Sequence, residues 1–423
     1  MTIDFEQEVD HYGVNSIKWE FVVDDRELKH WDLTDPDLGD QSVLPMWVAD
    51  MDFLAAPPII EAVTRRAQRG LYGYASKTNS YLSAVCNWMA RRKAWTVDPE
   101  WILMMPGVVT ALHVIVRHFT VPGDKVLIQR PVYHPFTFSI ENNQREVASS
   151  SLRLTGNRYE MDFDDLAEKA ADPAVKLAIL CSPHNPVGRV WSREELTRYA
   201  QICTENGVRV IADELHSDLI MPGRQFVSYG TLDERFLKDV FVCTAPSKTF
   251  SLAGLQTSNI IVPDAELRDQ LRLELRALGL WGTNPFGLVG TEAAYNYGEP
   301  WLDQVIDYIW GNLEYLDNYL QSRLPSMKLT PIEGTYLAWL DVSQVVNRIG
   351  AKETAAKESR ASGNTVTPET VIQRWFAENA RVYLNPGLSY GTGGADHMRM
   401  NLATSRSLIK KALDNMGEAL AKI

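Results

Sequence analysis

Five residues stand directly after apolar runs and could share one reaction. Lys248 follows VFVC (240–243), in the stretch TAPSKTF, and Asp213 closes VRVIAD (208–213). Asn185 follows KLAILC (176–181), Tyr133 follows DKVLIQ (124–129), and Gly107 follows WILMM (101–105) and opens VVTALHVIVRHF. An amine can attack a carbonyl or carry a proton, and a carboxylate can hold a positive charge beside it. An amide can hydrogen-bond a ring substituent and a phenol can stack on a ring. The free N–H groups of a helix that starts after a glycine bind anions. Lys248 is flanked by Ser, Thr, Ala and Gly, small residues that let a ligand lie close to the backbone.

These groups need a scaffold that holds strand ends side by side. The apolar runs at 101–105, 124–129, 176–181, 208–213, 240–243 and 258–262 (SNIIV) are short strand candidates. Between them lie segments with helical spacing: VVTALHVIVRHF, REELTRYAQICTENG closed by Gly207, and ELRDQLRLELRAL after the candidate N-cap Asp264, with Leu267, Leu271, Leu275 and Leu278 on one face. Short apolar runs alternating with amphipathic helices predict an α/β fold, a mostly parallel sheet covered by helices on both sides. Ligands of such sheets bind beyond the carboxyl ends of the strands, which is where the five residues fall. From about residue 300 the helical stretches lengthen, with one late strand candidate at GTYLAWLDV (334–342). The stretch 351–368, AKETAAKESRASGNTVTP, is polar and rich in small residues, and reads as an exposed loop or insertion.

Composition narrows the function classes. The 423 residues carry a net charge of −12, which argues against nucleic-acid binding, because phosphate contacts need a concentrated basic face. No window approaches the length of a spanning apolar helix, and MTIDFEQEVD is acidic without the apolar run of a secretory signal. Cys86, Cys181, Cys203 and Cys243 are scattered without CxxC spacing, so free thiols are expected rather than disulfides or metal ligands. A reduced cytoplasmic compartment, with no membrane, metal or nucleic-acid partner, is the expectation.

Taken singly, each candidate has a bland explanation: Asn185-Pro186 makes a turn, Tyr133 packs half-buried, Asp213 caps a loop. Together they match the needs of one cofactor, pyridoxal 5'-phosphate. It requires a lysine for its Schiff base, a carboxylate at its pyridine nitrogen and an anion site for its phosphate. The motifs LPMWVADMDF, PGVVTAL, SPHNPVGR, IADELHSDL, APSKTFSLAGLQ and MRMNLATSR are similar, in order and over nearly the whole chain, to those of the fold-type I pyridoxal-phosphate enzymes. More narrowly they resemble the aminotransferase-like cystathionine β-lyases, carbon–sulfur lyases of the MalY/PatB type.

The resemblance implies a role for each position. Lys248 forms the Schiff base, Asp213 faces the pyridine nitrogen, Asn185 binds the phenolic oxygen and Tyr133 stacks on the ring; Lys248, Tyr133 and Asp213 are the expected catalytic set. Gly107, Val108 and Val109 offer backbone N–H groups to the phosphate and Ser247 adds a hydroxyl. Tyr74, in LYGYAS, reaches the site of a second subunit, so a homodimer with shared sites is implied. Arg399 holds the substrate α-carboxylate, and Trp47 lines the approach to it unless it is a core tryptophan. Two positions depart from the common aminotransferase pattern: His216, within the cofactor shell where many have tyrosine, and Gln256, where many have an arginine on the phosphate. Both agree with the lyase branch. The implied activity is β-elimination on cystathionine or a related sulfur amino acid, giving a thiol, pyruvate and ammonia. An aminotransferase, or a cofactor-binding regulatory protein acting through protein contact, would use the same residues. The implied organisation is an N-terminal segment (1–50) belonging to a small domain, a large cofactor-binding domain (51–295) and a C-terminal small α+β domain (296–423).

Overall fold

The computed structural model describes residues 3–7, 9–24, 27–30, 43–280 and 282–423. Its centre is a seven-stranded sheet built from β1 (Ile102–Met105), β2 (Lys125–Ile128), β3 (Glu146–Ser149), β4 (Val175–Cys181), β5 (Arg209–Asp213), β6 (Val240–Thr244) and β7 (Ser258–Ile261), in the order β1-β7-β6-β5-β4-β2-β3. Only β7 runs against its neighbours β6 and β1, so the other six strands end at the same edge. The predicted mostly parallel α/β sheet is what the chain forms.

Apolar strands with no polar alternation must be covered on both faces, and they are. Alternate residues of the central strands fall into two separate apolar clusters. Ile128, Ile179, Ile211 and Phe241 pack on one face with the helix Val108–Phe119 and with Leu267, Leu271 and Leu275 of the helix Ala265–Ala277. Leu127, Ala178, Ala212 and Val242 pack on the other. Asp264 caps the second helix by accepting the Leu267 N–H at 2.8 Å. Leu278 falls at the C-cap and is exposed, outside the buried face. The edge strand β3 carries no continuous apolar run, so its sequence gives no strand signal of the kind the central strands give.

A second, antiparallel sheet comprises β8 (Lys328–Leu329), β9 (Leu337–Asp341), β10 (Asn385–Pro386) and β11 (His397–Asn401), ordered β8-β9-β11-β10. Leu44–Pro45 pairs in parallel with Val382–Tyr383, which ties the WVADMDF segment to the last third of the chain. The stretch 351–368 is not a loop. Residues Ala351–Ser362 form a helix between the left-handed residues Gly350 and Gly363, with Ala351 and Ala355 buried against the helix Pro368–Ala380. Ala, Lys and Glu are strong helix formers, and the two buried alanines four apart are enough to anchor one face. All four cysteines are free, and Cys181, Cys203 and Cys243 are buried. Among the described residues no helix is long and apolar enough to cross a membrane.

Candidate active site

Residues from four of the parallel strand ends gather beside the second sheet. Asp213 is the last residue of β5 and pairs in register with Cys181 of β4 and Cys243 of β6. It is 6 % exposed, and its Oδ1 accepts the Leu215 N–H at 3.1 Å. Burial pushes its pKa up to about 7, against that hydrogen bond and the nearby positive charge of Lys248.

Lys248 stands in the one-turn helix Pro246–Thr249 that follows β6. Its Nζ donates to the Ala49 carbonyl at 2.6 Å and lies 3.7 Å from Asp50 Oδ1. Burial lowers its pKa, partly offset by Asp50. The Tyr336 hydroxyl donates to the same Ala49 carbonyl at 2.7 Å. Asp50 and Tyr336 are additions to the set read from sequence, although both lie inside stretches quoted above, WVADMDF and GTYLAWLDV. No periodicity marks them, because their proximity to Lys248 is made by the fold.

The loop after β4 brings in Asn185. Its carbonyl accepts the Tyr133 N–H at 3.0 Å, and its Oδ1 accepts Arg399 Nη1 at 3.1 Å. That leaves the Asn185 amide free to donate elsewhere. Gly188, in the same loop, has φ +69°, and a Cβ there would stand 2.8 Å from Ile332, so the turn closes only around glycine. Burial pushes the Tyr133 phenol up to about 12, opposed by Arg399; it stays protonated at neutral pH.

Arg399, on β11, is 3 % exposed. Its Nη2 donates to the Trp47 carbonyl at 2.7 Å and its guanidinium lies 5.1 Å from the Tyr390 ring centre, while its buried Nε has no hydrogen-bond partner. The Trp47 indole itself packs edge-on against Tyr383 and donates to the Lys18 carbonyl at 3.1 Å, so Trp47 meets Arg399 through its backbone. His216, three residues past Asp213, is also buried, and its Nδ1 has no partner. Burial, Lys248 and Arg399 lower its pKa to about 3, which keeps the imidazole neutral.

At the β1 end, Gly107 is the N-cap of the helix Val108–Phe119 with extended backbone, φ 177°; Val108 is buried and Val109 half-buried. The first N–H groups of such a helix have no intrahelical acceptor. Ser247 is half-buried next to Lys248. Gln256 takes a left-handed conformation, φ 46°, and with Pro106, Thr257 and Thr283 lines a cavity of about 140 Å³ beside this edge. Tyr74 is 94 % exposed.

Residues 43–416 match the model of the aminotransferase class I and II family. The chain belongs to that family. It is 39 % identical over 419 residues to cystathionine β-lyase PatB of Bacillus subtilis (strain 168), covering 99 % of this chain and 100 % of that one. Among solved structures it is similar to cystalysin of Treponema denticola, which contains pyridoxal 5'-phosphate, with 31 % identity, TM-score 0.87 and full coverage of both chains. It is also similar to the pyridoxal-phosphate-bound C–S lyase of Staphylococcus hominis, with 29 % identity, TM-score 0.85, and coverage of 99 % of this chain and 98 % of that one.

The site of this class I and II family member fits that cofactor on its own chemistry. A buried polar atom without a partner is costly and rare, yet Arg399 Nε and His216 Nδ1 both meet that description within one crevice. Asp213 is buried with one hydrogen bond, in a place where a cationic ring nitrogen would restore its charge balance. Lys248 would offer such a cofactor an amine, and the helix that starts after Gly107 has free N–H groups that a phosphate could accept from.

Proposed function

We propose that the protein is a pyridoxal-phosphate-dependent carbon–sulfur β-lyase. It cleaves L-cystathionine, or a related cysteine S-conjugate, with uptake of water, to a thiol (homocysteine from cystathionine), pyruvate and ammonia. The observation that carries the reading is the convergence of Lys248, Asp213 and Arg399 in one buried crevice, in a chain 39 % identical over 419 residues to a cystathionine β-lyase.

Pyridoxal phosphate supplies, when bound, an aldehyde carbon for amines and a ring that stores the electrons left when the α-proton departs. Lys248, whose amine is made easier to deprotonate by burial, holds the cofactor and afterwards takes the substrate α-proton on Nζ. Asp213 holds the proton on the pyridine nitrogen. Asn185, with its Oδ1 already engaged by Arg399, donates from its amide to the phenolic oxygen, while Tyr133 flanks the ring and His216 adds a neutral imidazole. The N–H groups at Gly107, Val108 and Val109 and the Ser247 hydroxyl hold the phosphate. Arg399 turns its unpartnered Nε, with one Nη, to the substrate α-carboxylate as a bidentate pair; the adjacent Trp47 carbonyl fixes the guanidinium.

We read the chain as two domains, 51–295 around the cofactor and 296–423 with 1–50 beside it; the pairing of Leu44–Pro45 with Val382–Tyr383 supports this division. The reading includes a homodimer in which Tyr74 enters the site of the other copy. Leu71, Tyr72 and Tyr74 are 71 %, 61 % and 94 % exposed in a row, an apolar and aromatic patch that a second subunit would cover. We place the enzyme in the cytoplasm, in keeping with its four free thiols.

The chemistry is tested by incubating the purified yellow protein with cystathionine and, separately, with an amino acid plus a 2-oxo acid. Release of pyruvate and thiol from the first is expected; amino-group exchange in the second without release in the first would make the protein an aminotransferase. The shared site is tested by mixing Tyr74→Phe with Lys248→Ala subunits. One site of each mixed dimer then carries neither substitution, so activity returns on mixing. Continued inactivity after demonstrated subunit exchange would mean that Tyr74 acts within its own subunit.

A further inference from the structure

The helix that carries Lys248 is four residues long, Pro246–Thr249, and its N-cap residue Ala245 makes no side-chain cap bond. So short a helix cannot hold its own shape, since nucleation is unfavourable and few backbone bonds close the turn, among them Phe250 N–H to the Pro246 carbonyl at 2.9 Å and Leu252 N–H to the Ser247 carbonyl at 3.0 Å. The side chain after Lys248 is tied down. Thr249 is fully buried, and its hydroxyl donates to Asp218 Oδ2 at 2.9 Å.

Asp218 is itself anchored. Its Oδ1 takes the ammonium of Lys93, the last residue of the helix Asn79–Lys93, and its Oδ2 also accepts the Trp88 indole N–H at 3.2 Å. Lys93 and Asp218 have side chains only 3 % and 5 % exposed. A buried ion pair of this kind is fixed in place, because moving either partner strands the other's charge. Asp218 belongs to the short turn that begins at Asp213 and contains His216, a turn closed by Ser217 N–H to the Glu214 carbonyl and Leu219 N–H to the His216 carbonyl. One carboxylate therefore joins the backbone that carries Asp213 to the helix that carries Lys248. No step of the proposed reaction uses it.

We propose that Asp218, held by Lys93 and Trp88, is a positioning residue that sets Lys248 against Asp213 through the Thr249 hydroxyl. This rests on the reading that Lys248 and Asp213 hold the same cofactor. The amine and the carboxylate must meet different atoms of one rigid ring, so a rotation of the one-turn helix that leaves the fold intact still misplaces the amine. Displacements of about 1 Å in a reacting group are worth roughly 100-fold in rate.

The test substitutes Thr249 by Val, which keeps the shape and removes the hydroxyl, and by Ser, which restores the hydroxyl without the methyl group. Asp218 keeps Lys93 and Trp88 in both, so both variants are expected to fold. Three quantities are measured on the cofactor-loaded proteins: kcat and KM with cystathionine, the pH midpoint of the visible absorption of the Lys248-bound cofactor, and the melting temperature. Expected for Thr249→Val is a kcat lowered roughly 10- to 100-fold with KM changed less than about threefold, together with a displaced absorption midpoint. Thr249→Ser is expected to recover kcat to within about threefold of the unaltered protein and to restore the midpoint.

A Thr249→Val protein with unchanged kcat and midpoint overturns the inference. So does a Thr249→Ser protein as impaired as Thr249→Val, or a loss that follows melting temperature alone, since packing would then be the cause. If the unaltered protein shows no Lys248-bound absorption, the proposed function falls and this inference with it; that outcome is distinct from an intact band in which Thr249 plays no part.

Discussion

Two buried polar clusters in this molecule look alike in composition and differ in satisfaction. Around Arg189, every charge is matched. Its Nε donates to Glu333 Oε2 at 2.9 Å, its Nη2 to both oxygens of Glu195 at 2.9 Å, and its Nη1 to the Tyr159 carbonyl. Glu333 accepts also from Val190 N–H and Arg158. Burial pushes the Glu333 carboxyl up, but these donors outweigh it and hold the pKa below the usual value. Around Asp213 the donors fall short: one backbone N–H, a pKa raised to about 7, and unpartnered nitrogens on His216 and Arg399. The first cluster is complete as folded and serves structure. The second is incomplete without a ligand, and burial without compensation is the mark of a functional site.

The largest effect that separates the two is at Lys248. Lys248→Ala should leave the fold intact and reduce lyase turnover by roughly 10⁴-fold or more, since it removes the amine on which the proposed reaction depends. Borohydride treatment of the unaltered protein should fix the cofactor to Lys248 in a peptide map. An adduct on another lysine would remove the assignment.

Asp213→Asn comes next, with turnover lower by roughly 10²- to 10³-fold and cofactor largely retained, because an amide cannot hold a cationic ring nitrogen as a carboxylate does. Near-normal turnover in that variant would separate Asp213 from the chemistry.

How much of this contrast is legible in the sequence follows from the range of each interaction. Strand ends are readable, because a fully covered parallel strand must be a continuous apolar run, and what stands after it is at the site edge. Asp213, Lys248, Asn185 and Tyr133 emerge that way. Arg399 is marked only by family resemblance, and its bonds to Asn185 and the Trp47 carbonyl join residues more than 200 positions apart. The Arg189–Glu333 pair, 144 positions apart, and the Lys93–Asp218 pair, 125 apart, leave no local pattern either. The helix Ala351–Ser362 departs from expectation for a different reason. Its polar, small-residue composition resembles that of a loop, while the propensity of Ala, Lys and Glu and the i, i+4 alanines point the other way.

The satisfied cluster should fail as structure. Arg189→Met removes the buried guanidinium and its bonds to Glu333 and Glu195, leaving Glu333 only Arg158, Arg224 and the Val190 N–H among the described residues, so denaturant unfolding should show a loss of about 3–5 kcal/mol. The absorption of bound cofactor in the surviving folded fraction should be unaltered. A loss below about 1 kcal/mol would mean that the cluster is as replaceable as a surface pair.

The smallest effect is the sharpest, because its sign differs between the clusters. In cofactor-free protein the Asp213 pKa is about 7, above its ordinary value. The folded state then holds its proton more tightly than the unfolded chain. Its contribution to stability is full below the ordinary carboxylate pKa and is lost as pH rises through about 7. An amide at this position cannot titrate, so Asp213→Asn should gain on the unaltered protein between about pH 4.5 and 8, by about 3 kcal/mol. Glu214 is also raised to about 7 and Lys248 is lowered, but both are present in the two proteins and largely cancel in the difference. Glu333 has the opposite sign. Its folded pKa is depressed, so its contribution is present above the ordinary value and is lost as pH falls through the folded one, and the deficit of Glu333→Gln should shrink toward acid pH. Urea unfolding of the three cofactor-free proteins across this range measures both slopes. If the Asp213→Asn difference stays flat with pH, Asp213 is ordinarily ionised in the empty crevice, and the contrast between a completed and an uncompleted cluster fails at its central residue.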